Sequence, residues 1–257
     1  MSRICVIIPT FNNGRYLSGV LDSVLQYSSD VIVVNDGSTD GTDAILQACS
    51  PQVRVLMYTP NRGKGYALNV GFTAALAAGY DYAVTMDSDG QHSAADLPAF
   101  FEAVGRMPQT MLIGSRRLRQ ENMPEMNTFA NRFSNFWFTV QTGRRLPDTQ
   151  TGFRLYPLQK MRGMRSLTSR YEAELEWLVR LAWRGVRQIP IPISVYYPPQ
   201  GDRITHFRPA KDFLRISLLN TAFCFLAIVY GYPAMLFRWL TRKINVGGNN
   251  PKKNQIP

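Results

Sequence analysis

The 257-residue sequence is poor in cysteine and poor in acid. Its three cysteines, Cys5, Cys49 and Cys224, show neither paired spacing nor a Cys-x-x-Cys, which excludes a thiolate zinc site and predicts reduced thiols in a cytoplasmic protein. No internal repeat is present. The P-loop spacing G-x-x-x-x-G-K-[ST] is missing too, because Lys64 in NRGKG does not fit it, and this speaks against an ATPase or GTPase. The first apolar run, ICVII at 4–8, stops at Pro9 and is too short for a signal-peptide core, so export is not expected.

The shortage of acid is uneven. Residues 1–200 carry 20 basic and 16 acidic residues, a net of +4, whereas residues 201–257 carry 9 and 2, a net of +7. The excess therefore sits near the C-terminus and suits an anionic surface, either lipid headgroups or nucleic acid. Within it, Ile216 to Phe237 is 22 residues without a charge, long enough to cross a bilayer as a helix. Arg208, Lys211 and Arg215 precede it, and Arg238, Arg242 and Lys243 follow. Basic flanks on both sides argue against one of them lying outside. Gly231-Tyr232-Pro233 should interrupt a straight helix. Residues 201–246 are thus expected to lie on the membrane or re-enter it with both ends in the cytoplasm, and 247–257 to form a flexible tail.

Apolar runs alternate with helical patterns up to Gly114. ICVII (4–8), VIVV (31–34), VRVLMY (53–58), YAVTM (82–86) and MLIG (111–114) predict buried strands. Helices are expected at Tyr16–Tyr27, Thr42–Ala48, Tyr66–Ala78 and Ala94–Val104, the last with Ser93 and Asp96 spaced as a capping box. This is an α/β pattern with a mainly parallel central sheet, spanning residues 1–200. Beyond residue 115, Pro124–Gln141 reads as an aromatic-rich helix, Tyr171–Trp183 as a charged amphipathic helix and 186–195 as a further strand. Open sheets of this kind bind ligands beyond the carboxyl ends of their strands. PTFNN (9–13), NDGSTDGT (35–42), PNRGKG (60–65) and DSDGQH (87–92) should therefore share one edge.

Asp87 and Asp89 pose a physical problem. At an extended strand end they would point to one face, repel each other and lose hydration unless a cation meets them. A hard divalent cation, Mg2+ or Mn2+, prefers such oxygens, and Gln91 could add a neutral one. An isolated pair also fits turn and helix-start aspartates, and His92 reads as a structural neighbour. Asp36 could accept hydrogen bonds from the N–H edge of a nucleobase, or its segment could be a turn capped by Thr39 or Asp40. Lys64 could meet a diphosphate.

Taken in order, PTFNN, NDGSTDGT, NRGKGYALNVG, DSDGQH, GSRR and DTQTGFR resemble family 2 glycosyltransferases with the A-type (GT-A) nucleotide-sugar-binding fold, over roughly residues 4–200. Within that family the sequence is most similar to polyprenyl-phosphate sugar synthases of the dolichyl-phosphate mannose synthase type. Those carry D-x-D-x-Q-H and a later Ser-Gly-Phe-Arg, here Thr151-Gly152-Phe153-Arg154. The resemblance implies that Pro9, Phe11 and Asp36 line the nucleoside pocket, with Lys64, Asp87 and Ser88 also on the donor. It implies that Asp87, Asp89 and Gln91 hold the metal and that Arg116, Arg132 and Thr151 face an acceptor phosphate. Asn13 stands where these synthases often have Glu, which leaves the base and sugar open.

The implied chemistry is a single inverting displacement at the anomeric carbon, with Asp89, Arg116 and Asp148 as catalytic candidates. A hydroxyl acceptor would need a base, Asp148 or one of Glu172, Glu174 and Glu176, although most of that Glu series reads as a solvated face or as local ion pairs. A lipid phosphate is already ionised and needs cations, a role that suits Arg116, Arg117, Arg119 and Arg132. The expected partners are a UDP- or GDP-linked sugar, a lipid acceptor and the cytoplasmic face of the membrane, bound peripherally or monotopically. The alternatives are a hydroxyl acceptor on a glycolipid or lipid-linked saccharide and, outside enzymes, a basic nucleic-acid-binding protein. The last fits poorly, since the extra charge flanks an apolar segment and does not form an aromatic-studded groove.

Overall fold

The structure, a computed structural model, describes residues 2–49, 51–116, 125–197 and 209–247. Seven strands, β1 (Ile4–Thr10), β2 (Val31–Asp36), β3 (Arg54–Tyr58), β4 (Tyr82–Thr85), β5 (Met111–Arg116), β6 (Arg154–Pro157) and β7 (Gln188–Ile193), form one sheet in the order β3-β2-β1-β4-β6-β5-β7. Its pairings are parallel except for β6, which runs antiparallel between β4 and β5. The sheet is therefore mainly parallel, as the apolar runs predict, but β3, expected to be buried, is a half-exposed edge strand with Arg54 and Met57 facing solvent. β6 was not expected as a strand, because RLYP opens with an arginine and is only four residues long.

Alternation along the strands sorts the core into two layers. Cys5 and Ile7 join α3 (Lys64–Ala77) and α7 (Glu172–Trp183) on one side. Val6 and Ile8 join α1 (Gly14–Leu25), α2 (Thr42–Cys49) and α4 (Leu97–Arg106) on the other. Gly71 lets α3 approach the sheet, since a Cβ there would stand 2.6 Å from Ile7 Cγ2. The order reverses between β1 and β4, which places a ligand crevice beyond their carboxyl ends.

Two local expectations are corrected. The capping box at Ser93 does not form: residues 94–96 make a 3-10 turn, and the Asp96 carboxylate accepts the Ser194 amide at 2.7 Å. The Glu series of α7 is not a solvated face, because Glu172, Glu174 and Glu176 are all buried. That helix is enclosed nearly all round, and Glu174 and Glu176 are met by ion pairs with Lys64 and Arg180, the second of them the local pair the sequence allowed.

The remaining helices are α5 (Glu125–Thr142), α6 (Leu158–Met161), α8 (Pro209–Leu226) and α9 (Tyr232–Gly247). α8 and α9 are continuous from Leu214 to Thr241, 28 residues long and apolar enough to cross a membrane. The expected interruption at Gly231-Tyr232-Pro233 is a π-helical turn over Ala227–Gly231 and not a break. Pro233 has no N–H and its ring crowds the carbonyl four residues back, which a widened turn accommodates. One side of this helix docks on the domain. Gln141 of α5 donates to Asn220 Oδ1 at 3.0 Å, Trp183 of α7 stacks near Phe223 with ring centroids 5.4 Å apart, and Tyr232 donates to the Val140 carbonyl. Gly231 lies against the Trp183 indole, where a Cβ would come within 2.5 Å. The other side exposes Leu218, Phe225, Ile228 and Phe237, each by more than 60%. Arg208 and the 248–257 tail lie outside the described residues; Gly247 ends α9.

Candidate active site

The four loops beyond β1 to β4 are tied to one another. Asn12 accepts the Thr39 amide at 2.7 Å, and its own amide donates to Ser38 at 3.0 Å, joining the first loop to the second. The Asp40 carboxylate takes the amides of Gly14 and Thr42, so it caps both α1 and α2. Asn13 Nδ2 donates to Ser88 Oγ at 2.9 Å, joining the first loop to DSDGQH. Asp36 joins the second to the third: its oxygens accept Arg62 N at 2.7 Å and Asn61 Nδ2 and Gly63 N at 2.8 Å each. Gly37, at φ +71°, makes that turn; a Cβ there would sit 2.7 Å from Asn61 N.

Asp87 and Asp89 lie past the end of β4, with Ser88 and Asp89 in a turn and not in extended strand. The cation that meets Asp87 within the chain is Lys64, at the first position of α3. Its ammonium lies 2.6 Å from Asp87 Oδ1 and 2.8 Å from Glu174 Oε2. Burial alone would drive the lysine neutral, but the two carboxylates outweigh it and hold the ammonium charged. Burial likewise works against ionised Asp87, yet Lys64 holds its carboxyl below the usual range. Among the described residues Asp89 has no such ion-pair partner. Burial, then the charge of Asp87, push its carboxyl up, and His92, the hydrogen bond received from the Gln91 amide at 3.0 Å and the more distant Lys64 only partly offset them.

The segment 148–154 closes the site from the side of β6. Gly152 lies flat against Asp87: a Cβ there would stand 2.4 Å from Asp87 Oδ2, and its carbonyl accepts Thr85 Oγ1 at 2.7 Å. The Arg154 guanidinium, buried, donates to the carbonyls of Thr149, Thr151 and Glu174 at 2.7–2.8 Å. Asp148 is fully enclosed and pairs with Arg116 through both oxygens, 2.6 Å to Nε and 2.9 Å to Nη2. It also accepts Asn131 Nδ2 at 2.7 Å and the Gln150 amide at 3.1 Å. Burial would raise its pKa, but the bonds and charge of Arg116 prevail and lower it.

Asp36, Lys64, Asp87, Ser88, Asp89 and Gln91 converge, with Pro9 buried within β1 and Phe11 half-buried just beyond it. Asp36 is already committed to its own chain. Arg116 is held by Asp148 and keeps Nη1 out of that pair. The Thr151 hydroxyl accepts the Phe153 amide and is buried. Arg132 is exposed on α5, whereas its neighbour Asn131 faces Asp148. Arg117 and Arg119 lie outside the described residues. Asn131 and Arg154 also frame the site, and the sequence reading does not single them out. Arg154 ends DTQTGFR, but Asn131 has no signal beyond the Asn131/Asn135 spacing on one helix face.

The donor set fits a hard divalent cation, since two carboxylates meet there and only one is matched by a lysine. Among the described residues no cluster of three or more His, Cys, Asp or Glu side chains stands ready for a metal. The protein ligands would therefore number two carboxylates, with phosphate oxygens and water completing the shell.

The sequence profile described as glycosyl transferase family 2 matches residues 5–163. The undecaprenyl-phosphate mannosyltransferase of Micrococcus luteus is 34% identical over 205 residues, 75% of this chain and 83% of that protein. The polyprenol monophosphomannose synthase of Mycolicibacterium smegmatis is 29% identical over 75% of this chain and 77% of its own. Among solved structures, glucosyl-3-phosphoglycerate synthase from Mycobacterium tuberculosis, crystallised with Mn2+, UDP-glucose and phosphoglyceric acid, aligns with a TM-score of 0.61 at 18% identity. That alignment covers 88% of this chain and 79% of that one, a likeness of fold.

Proposed function

Because the chain belongs to glycosyl transferase family 2, we propose that it moves a sugar from a nucleotide sugar to a polyprenyl phosphate at the membrane. The observation that carries the choice of acceptor is the Asp148–Arg116 pair. It commits one candidate base, Asp148, to a guanidinium whose Nη1 stays outside the pair and could serve an anionic acceptor. An acceptor phosphate brings its own ionised oxygen, so no protein base is required. Relatives named for undecaprenyl-phosphate and polyprenol acceptors support the same reading.

Asp87 and Asp89, with Gln91 beside them, would hold Mg2+ or Mn2+. When bound, the cation would neutralise charge growing on the departing nucleoside diphosphate. Lys64 supplies a second positive charge at the same place. Asn13, Ser88 and the loop pinned by Asp36 shape the donor side, and Phe11 offers a ring edge to the base. Arg116 orients the acceptor oxygen for an inverting attack at the anomeric carbon. The base is uracil or guanine. The chain sits on the cytoplasmic face, peripherally or monotopically, with the apolar row of α8 and α9 in the lipid. The docked opposite side supports an in-plane position over a lipid-encircled span.

A second reading has one observation in its favour. Glu172 is buried and its Oε2 has no partner among the described residues, so a hydroxyl acceptor would find its base there. Two substitutions separate the readings in a transfer assay with membrane lipid extract. Asp89→Ala should lower turnover by about a thousandfold or more, while Glu172→Gln should leave it within about fivefold. Loss of turnover in Glu172→Gln would favour the hydroxyl acceptor, and full activity in Asp89→Ala would overturn the metal-assisted reading.

A further inference from the structure

We propose that Glu174 is a positioning residue for the acid pair: it tethers Lys64, so that the ammonium is shared with Asp87 and does not fill it, leaving Asp87 open to a divalent cation. This rests on reading Asp87 and Asp89 as the metal-holding carboxylates.

Glu174 is buried, its Oε2 takes Lys64 at 2.8 Å, and its Oε1 has no partner among the described residues. A buried carboxylate is costly unless paired, and an apolar side chain would pack α7 with less penalty. Lys64 is the cation its carboxylate contacts directly among the described residues, with the charge of Arg154 acting on it from further off. Glu176, two residues further along the same helix, is different. Its oxygens accept the amides of Leu167 and Thr168 and pair with Arg180, so it holds a loop. Glu174 and Glu176, two of the three buried carboxylates of α7, thus have separate tasks.

The tether closes a ring. Arg154 fixes the Glu174 carbonyl at 2.7 Å and, with the same guanidinium, the carbonyls of Thr149 and Thr151. Those residues frame Gly152, on which Asp87 rests, and Asp87 returns through Lys64 to Glu174. Were Glu174 neutral, Lys64 would settle wholly on Asp87 and repel an approaching cation. Were Lys64 apolar, Asp87 and Glu174 would both face the site unneutralised and attract one.

The test is Mn2+ binding to the purified full chain, without donor or acceptor, followed by loss of the free-Mn2+ paramagnetic resonance signal. Glu174→Gln should raise the Kd for Mn2+ about fivefold or more, Lys64→Met should lower it, and Glu174→Asp, which keeps the charge but withdraws from Lys64, should raise it too, a result that a change of net charge alone would not produce. The double variant should follow Lys64→Met. A Glu174→Gln protein that is folded and binds Mn2+ within about twofold of the parent overturns the proposal, as do Glu174→Gln and Lys64→Met shifting the same way. An unchanged Kd in Glu174→Asp overturns it equally, whether or not Glu174→Gln folds. Unaltered Mn2+ binding in Asp89→Ala would instead remove the metal reading beneath it.

Discussion

Gly152→Ala is expected to fold normally and to lose at least about a hundredfold in turnover, the scale that a displacement of about 1 Å imposes on a positioned group. The added methyl would stand 2.4 Å from Asp87 Oδ2 and 2.9 Å from both Asp87 Cγ and Oδ1. One partner must yield. Gly152 is fixed through its carbonyl by Thr85, and Asp87 through its oxygen by Lys64. The carboxylate is the lighter of the two and should swing away, carrying Lys64 with it. Gly152 has an ordinary φ, so alanine brings no backbone strain and the melting temperature should change little. Thermal melting by circular dichroism alongside initial rates checks both parts. An active Gly152→Ala protein would mean that Asp87 does not need its place.

Asp148→Asn should cost about 3 kcal/mol of stability near pH 7, as removal of one partner from a buried ion pair usually does. Asparagine cannot accept both Arg116 bonds as a carboxylate does, and it leaves the guanidinium uncompensated while Asn131 and the Gln150 amide still need an acceptor. The penalty carries a pH signature. Asp148 has a folded pKa below its unfolded value of about 3.9, because Arg116 outweighs burial. Its stabilisation is therefore fully present above that unfolded value and is lost as pH falls through the folded one. Urea unfolding should show a large difference between parent and variant at pH 7 that shrinks below about pH 4. A difference that persists undiminished at low pH would assign the cost to packing.

Much of this architecture was legible because it is written in local pattern. β1, β2 and β4 are buried on both faces, and only apolar runs satisfy that. The four polar loops follow those runs directly, so their shared edge could be foreseen. What stayed hidden depends on pairing across long sequence separations. Nothing near Lys64 or Asp87 announces that Glu174 completes their bridge, and the charged face of α7 reads as solvent-exposed until the helix is seen enclosed. Asp36 looked available to a nucleobase because the turn that consumes its oxygens, Asn61 to Gly63, lies on another loop. β6 was obscured for a related reason: its Arg154 is buried by satisfying carbonyls of its own loop and of α7, a solution with no sequence period.

The central claim is transfer to a lipid phosphate. The most direct measurement incubates the purified chain with Mn2+, radiolabelled UDP- and GDP-sugars in turn, and defined polyprenyl phosphate in vesicles, then treats the organic-phase product with mild acid. The account predicts label in the organic phase with one donor, released by mild acid as a sugar phosphodiester would be. An organic-phase product that resists mild acid, or label that appears only when a hydroxyl-bearing glycolipid replaces the polyprenyl phosphate, would contradict it.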